Sequence, residues 1–271
     1  MQQINDGKIG FYLDDRDYAH FLIGSIDIEA QLLAIRSLVA RNAAAAQEAS
    51  KRIDELADWA RKTTGAESYR ATDEWVDEMH ASVYSDAAAS MAAVGMFAPL
   101  IESLFSQVFR TLEKMYSVRG TNDPVHPRWS YQQDQKIDRW NCNIYVDADR
   151  VRTDVAAGIK QLAQASGLKA HIGKSDFKLI NALITYRNRM FHMGFEWPLS
   201  DRLNFERLII QNGWSQYFGS SRHNKAPWIF YLSDETVAGL PDFADGLVAK
   251  IGRFARSLPR DLLSAKIGEE A

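Results

Sequence analysis

At 271 residues, 46% of them apolar and 25% charged, the chain can bury a substantial core and has the composition of an ordinary globular protein. A net charge of only −3 excludes a global field that would draw it to nucleic acid or membrane, so any RNA-binding surface must be local. The single cysteine, Cys142, excludes an intramolecular disulfide and a cysteine-rich metal site.

The opening MQQINDGKIGFYLDDRDYAHF lacks a basic region followed by an apolar one, so no signal peptide is expected. FLIGSIDIEAQLLAI carries Asp27 and Glu29 and is too short to span a bilayer. The expected location is the cytoplasm, with no membrane partner. From about Asp17 to Lys62 the sequence is rich in Ala, Leu, Gln, Glu and Arg, and Leu32, Ile35, Leu38 and Val39 share one helical stripe. Gly65 is the expected stop. A second helix is expected from Thr72, its N-cap, to about Tyr116, kinked or split by Pro99. The alanines of 43–46 and 87–95 are expected to let helices approach closely.

From Val118 to Tyr145 the periodicity fails, which predicts a long loop of the kind that carries function. Helix is expected again from about Asp147 to Ser166, and from Ser175 to Met193 with Gly194 just past its end. A short helix near Asp201 to Ile210 precedes a second loop, and WIFYL reads as a brief strand or extended piece. Pro241 to Leu258 closes the set as an amphipathic helix through Phe243, Leu247, Ile251 and Phe254. The fold class is therefore all-α, a helical bundle. Residues 1–70 are read as a helical extension packing on a domain of residues 71–258, with 259–271 as a tail.

Charge is divided along this plan. Asp54 to Glu113 is strongly acidic, with eleven acidic and four basic residues, whereas Arg150 to Met190 carries eight basic residues and two acidic ones. The basic segment contains TYRNRMFHMGFEWP. On its helix Asn188 and His192 are four apart and share a face, while Arg187 lies about 140° from His192 at 100° per residue. Arg187 can curl towards His192 or meet a histidine from a second subunit, so the spacing hints at a site completed by dimerisation. Histidine moves protons near neutral pH, arginine suits a phosphate, and asparagine can orient either. The same three residues could equally form a polar helix end, with His192 capping carbonyls.

RNRMFH resembles the R-x4–6-H motif of the HEPN (higher eukaryotes and prokaryotes nucleotide-binding) superfamily, in which a polar residue, often Asn, follows the arginine. Arg187, Asn188 and His192 match it, over a resemblance running roughly from Ala71 to Leu258. MFAPLIESLFSQVF is similar to the family's earlier helix with an acidic residue, here Glu102. Ser106 breaks the acid-x3-basic pattern of some members, so Glu102 is read either as a supporting acid or as a surface carboxylate. The resemblance implies a four-helix core and a metal-independent endoribonuclease without cofactor. It further implies a homodimer with an antitoxin or nucleotidyltransferase partner, in a toxin–antitoxin or anti-phage setting. It leaves open a non-catalytic interaction module.

Arg189 is a further candidate supporting residue. Lys174, Lys178, Arg128 and Trp129 are candidate RNA contacts, since aromatic and basic side chains together can hold single-stranded bases. Loop tryptophans also serve to anchor a loop on its own core. No zinc-ligand spacing and no phosphate-binding glycine loop occurs.

Overall fold

The computed structural model describes residues 13–264 apart from 25, 120–125, 131–136 and 148–149. Helix α1 (Asp15–Ile23) is capped by Asp14, whose Oδ1 accepts from Asp17 N at 2.9 Å while Asp17 Oδ2 accepts from Asp14 N at 2.8 Å. Helix α2 (Ile28–Lys62) starts afresh from Asp27, whose side chain accepts from Ala30 N. The single helix expected from Asp17 to Lys62 is thus two, because Asp27 gives the chain a second N-terminus just after Gly24.

Helix α3 (Ala66–Arg119) is longer than expected at both ends. Thr72 is not its cap but lies inside it, its hydroxyl donating back to Ser68 O at 2.8 Å. The helix is neither split nor ended by Pro99, which is itself exposed but flanked by buried Phe97, Ala98, Leu100 and Ile101. Burial of that apolar face outweighs the roughly 3 kcal/mol that an interior proline costs. An 18-residue window of α3 is apolar and long enough to cross a membrane, yet 50% of that window is buried within the protein.

The expected loop of 118–145 contains a short helical turn, α4 (Pro127–Ser130), and runs into a strand. β1 (Ile144–Val146) pairs antiparallel with β2 (Val151–Thr153), so the helix expected from Asp147 begins only at α5 (Val155–Ala165), capped by Asp154. Helix α6 (Lys174–Met193) starts after Gly173, not at a Ser175 cap. Gly173 N donates to Asp176 Oδ2, and the helix ends at Gly194 as expected. Helix α7 (Leu199–Gln211) follows, then a hairpin of β3 (Phe218–His223), where a loop was expected, and β4 (Ala226–Leu232), which contains the brief strand expected at WIFYL. Its two-residue turn puts Asn224 and Lys225 at positive φ, 49° and 65°. Helix α8 (Asp234–Ser257) starts at the Ser233 cap, seven residues before Pro241, and short α9 (Arg260–Ser264) closes the described chain.

The result is an all-α bundle carrying two small antiparallel ribbons. One buried cluster runs from Ala19 to Leu262, joining α1 and α2 to the later helices. α2 lies along α3, and α1 along α8. The second of these contacts is close enough to need glycine: a Cβ on Gly252 would lie 1.5 Å from Asp15 O. Gly252→Ala should therefore cost on the order of 2–3 kcal/mol, read as a lowered urea midpoint. Gly246→Ala, in open space on the same helix, should instead add up to about 1 kcal/mol. Equal effects of the two would refute the tight α1–α8 contact.

Candidate functional site

α6 is anchored by its apolar side. Ile180, Leu183, Ile184, Tyr186 and Met190 are buried, and Tyr186 Oη donates to Phe230 O at 2.9 Å. Tyr186 belongs to an aromatic cluster with Trp197, Phe205 and Phe218. Burial pushes the Tyr186 phenol far above its ordinary value, so it is a structural hydroxyl. At the helix end Gly194, with φ of 71°, carries its N–H to Met190 O, and Trp197 Nε1 donates to Gly194 O at 2.8 Å.

With that side buried, Asn181, Thr185, Asn188 and His192 form a polar stripe, spaced by four, three and four residues. The stripe lines one wall of a groove of about 490 Å³. Thr153, Asp154, Val155 and Ala156, at the junction of β2 and α5, form the other wall. His192 is exposed and makes no hydrogen bond or ion pair with any described residue. Asp154 is committed: its Oδ1 caps α5 through Ala157 N at 3.0 Å, and its other oxygen is 3.5 Å from Arg152. α5 comes this close because Gly158 lacks a Cβ, which would lie 2.2 Å from Cys142 O.

Arg187 points elsewhere. It forms an ion pair with Glu102 of α3, its side chain 23% exposed and its buried Nε without a partner. Phe191, one turn on, lies over Gly95 of α3, where a Cβ would come 3.0 Å from its Cζ. Glu102's carboxyl is raised above the usual range because burial outweighs the opposing charge of Arg187. The structure therefore joins Arg187 to Glu102, and Asn188 to His192, without bringing the two pairs together on one side of α6.

The other sequence candidates fall into three situations. Arg189 lies along the groove but spans to α7, over the Trp197 and Phe205 rings and 3.7 Å from Asp201; burial lowers its pKa against that partner. Lys174 and Lys178 are at the far end of α6, about 20 Å or more from His192 at 1.5 Å per residue. Lys178 sits over Tyr217. Arg128 offers RNA nothing, for it is fully buried. It donates to Arg139 O, Asn141 O, Ile144 O and Gln161 Oε1 at 2.6–2.9 Å, and burial pulls its pKa down to about 10. Trp129 packs at a tilt against Trp140 with centroids 4.8 Å apart, which makes it a loop anchor.

Sequence reasoning missed Asn181 and Thr185, whose spacing ahead of Asn188 and His192 was the available signal. It also missed Arg152 and Lys160, which with Tyr145 and His126 line a second cavity of about 750 Å³ across the β1–β2 ribbon from the groove. Arg152 lies 4.8 Å over the Tyr145 ring. Among the described residues no group of three or more His, Cys, Asp or Glu could hold a metal ion. No protein-family model matches the chain, and no curated protein or solved structure was found to match it.

Proposed function

We propose that the chain is a metal-independent endoribonuclease of the HEPN type, acting as a homodimer. The observation that carries this reading is the uncommitted, exposed imidazole of His192 in a groove edged by Asn188, Thr185 and Asn181. His192 takes the proton of a ribose 2′-OH. The alkoxide oxygen attacks the adjacent phosphorus, the P–O5′ bond breaks, and an imidazolium returns a proton to the leaving 5′-oxygen. The products are a 2′,3′-cyclic phosphate and a free 5′-OH. Asn188 orients the imidazole or a phosphate oxygen, and Arg187, turned to Glu102 and away from its own His192, neutralises the phosphorane formed at the His192 of the partner copy. Arg152 and Lys160, beyond the ribbon, supply the local basic surface that the nearly neutral net charge requires for a flanking phosphate.

An apolar stripe on α7, Leu199, Leu203 and Ile210, is exposed beside the end of α6 and supports pairing with a second copy. A cytoplasmic toxin–antitoxin or anti-phage role, held in check by an antitoxin or nucleotidyltransferase partner, goes with this reading. The test is RNA cleavage in EDTA. Wild type should yield cyclic-phosphate ends, and His192→Ala and Arg187→Ala should each lose at least about 100-fold. Unchanged cleavage in both variants, or strict dependence on Mg²⁺, refutes it.

One observation favours a second reading, a non-catalytic interaction module: Arg187 is already occupied by Glu102. On that reading the wild-type protein itself cleaves no RNA.

A further inference from the structure

The alanines of 43–46 and 87–95 were expected to let helices approach closely, and α2 does lie along α3, but many of these alanines stay exposed. Ala45 and Ala46 of α2, and Ala88 and Ala92 of α3, are exposed. They line a cleft of about 810 Å³ closed by the β3–β4 ribbon and the first turn of α8. A recess of about 370 Å³ adjoins it and shares Asp86, Ala89 and Asp234 with it. The cleft thus lies between two parts of the chain that are far apart in sequence, α2 with α3 and the β3–β4 ribbon with α8.

Its charge is of one sign. Asp86, Asp234 and Glu235 face it, and among the described residues no lysine, arginine or histidine lines either part. The α8 N-terminus partly offsets Asp234 and Glu235, which occupy its first turn. Nothing offsets Asp86. It is half-buried, on the body of α3, and makes no hydrogen bond or ion pair with any described residue. Burial and the nearby charge of Asp234 raise its pKa. A partly desolvated carboxylate facing open space is costly unless something pairs with it.

The remaining wall is aromatic. A Cβ on Gly219 would lie 2.4 Å from Cε2 of Tyr231, its cross-strand neighbour, so only glycine lets the Tyr231 ring lie flat across β3. That placement makes the ring a wall of the cleft, close to the two carboxylates, whose charges together with burial raise its phenol pKa. An aromatic face, an uncompensated carboxylate and small apolar walls are complementary to an organic ammonium with a hydrocarbon tail.

We propose that this cleft binds a small alkylammonium cation, with its charged head between Asp86, Asp234 and the Tyr231 ring and its tail along the alanines of α2 and α3. The site is separate from the His192 groove and does not rest on the nuclease reading.

Titration calorimetry with hexylammonium chloride, at constant ionic strength, tests it on the full chain. Wild type and His192→Ala should bind one equivalent saturably and equally, while neutral hexanol should not bind. Asp86→Asn should weaken binding at least tenfold, Tyr231→Leu at least threefold, and Ala89→Phe, which fills the cleft, should abolish it. Absence of saturable binding to wild type overturns the proposal, as does hexanol binding as well as the amine. If thermal melting shows Asp86→Asn to be unfolded, the other two variants decide, and unchanged affinity in both also overturns it.

Discussion

Arg128→Met should destabilise the protein by about 3 kcal/mol or more, and Arg128→Lys should do no better. The guanidinium is fully buried and has no carboxylate within ion-pair distance among the described residues. Burial pulls its pKa down to about 10, so holding the charge there is unfavourable. Four hydrogen bonds from a charged donor, at roughly 1.5–3 kcal/mol each, outweigh that cost. Methionine relieves the charge but leaves three carbonyls and the Gln161 amide oxygen without that donor. Lysine keeps the charge, has three donors instead of five, and cannot reproduce the planar fork.

The folded state holds this proton less tightly than the unfolded chain. Above about pH 10, up to the ordinary arginine range, the unfolded chain binds more protons, so the contribution of Arg128 rises with pH only there and is constant below. Urea unfolding at pH 7 measures the loss, with near-ultraviolet dichroism of the Trp129–Trp140 pair as the local signal. Full stability of the lysine variant would show that the four bonds do not hold the loop.

Arg128 also shows what the sequence could not reveal. An arginine beside a tryptophan, in a stretch without periodicity, reads as a surface pair. Its burial depends on Gln161, 33 residues on, which clips the β1–β2 ribbon through Val146 N and O. The pairing of Arg187 with Glu102 spans 85 residues and is equally silent in local pattern. What was legible was periodic: the apolar stripes of α2, α6 and α8, and the α6 boundary at Gly194. Expectations failed where one rule outranked another. Pro99 was read as kinking or splitting a helix and Pro241 as starting one, although buried neighbours carry α3 and α8 through them. The ribbons were too short, at three to seven residues, for period-two alternation to stand out. In the candidate site, the shared face of Asn188 and His192 and the divergence of Arg187 followed from helix geometry alone. The opposite wall did not, because it is supplied by a turn between elements that the sequence had merged into one helix.

On the proposed nuclease reading, that divergence has a measurable consequence. RNA cleavage by internal attack needs one group to accept a proton and another to supply one. The groove of one protomer holds Asp154, Arg189 and His192 as its titratable groups. Asp154 is committed to capping α5 and to Arg152, and Arg189 to Asp201 and two rings. His192 is left alone, with Arg187 turned to α3. A second His192, from a partner copy, is the simplest source of the missing acid. Each active centre then needs two intact chains, and His192→Ala should poison wild type. After dissociation and random reassociation with a nine-fold excess of His192→Ala, only about one wild-type chain in ten has a wild-type partner, so the cleavage rate should fall about tenfold. A self-contained site would lose nothing, since the amount of wild-type protein is unchanged. Size-exclusion chromatography at the assay concentration separates the two failures. A dimer whose activity is not poisoned has its acid within one chain, and a monomer that still cleaves RNA removes the need for a partner altogether.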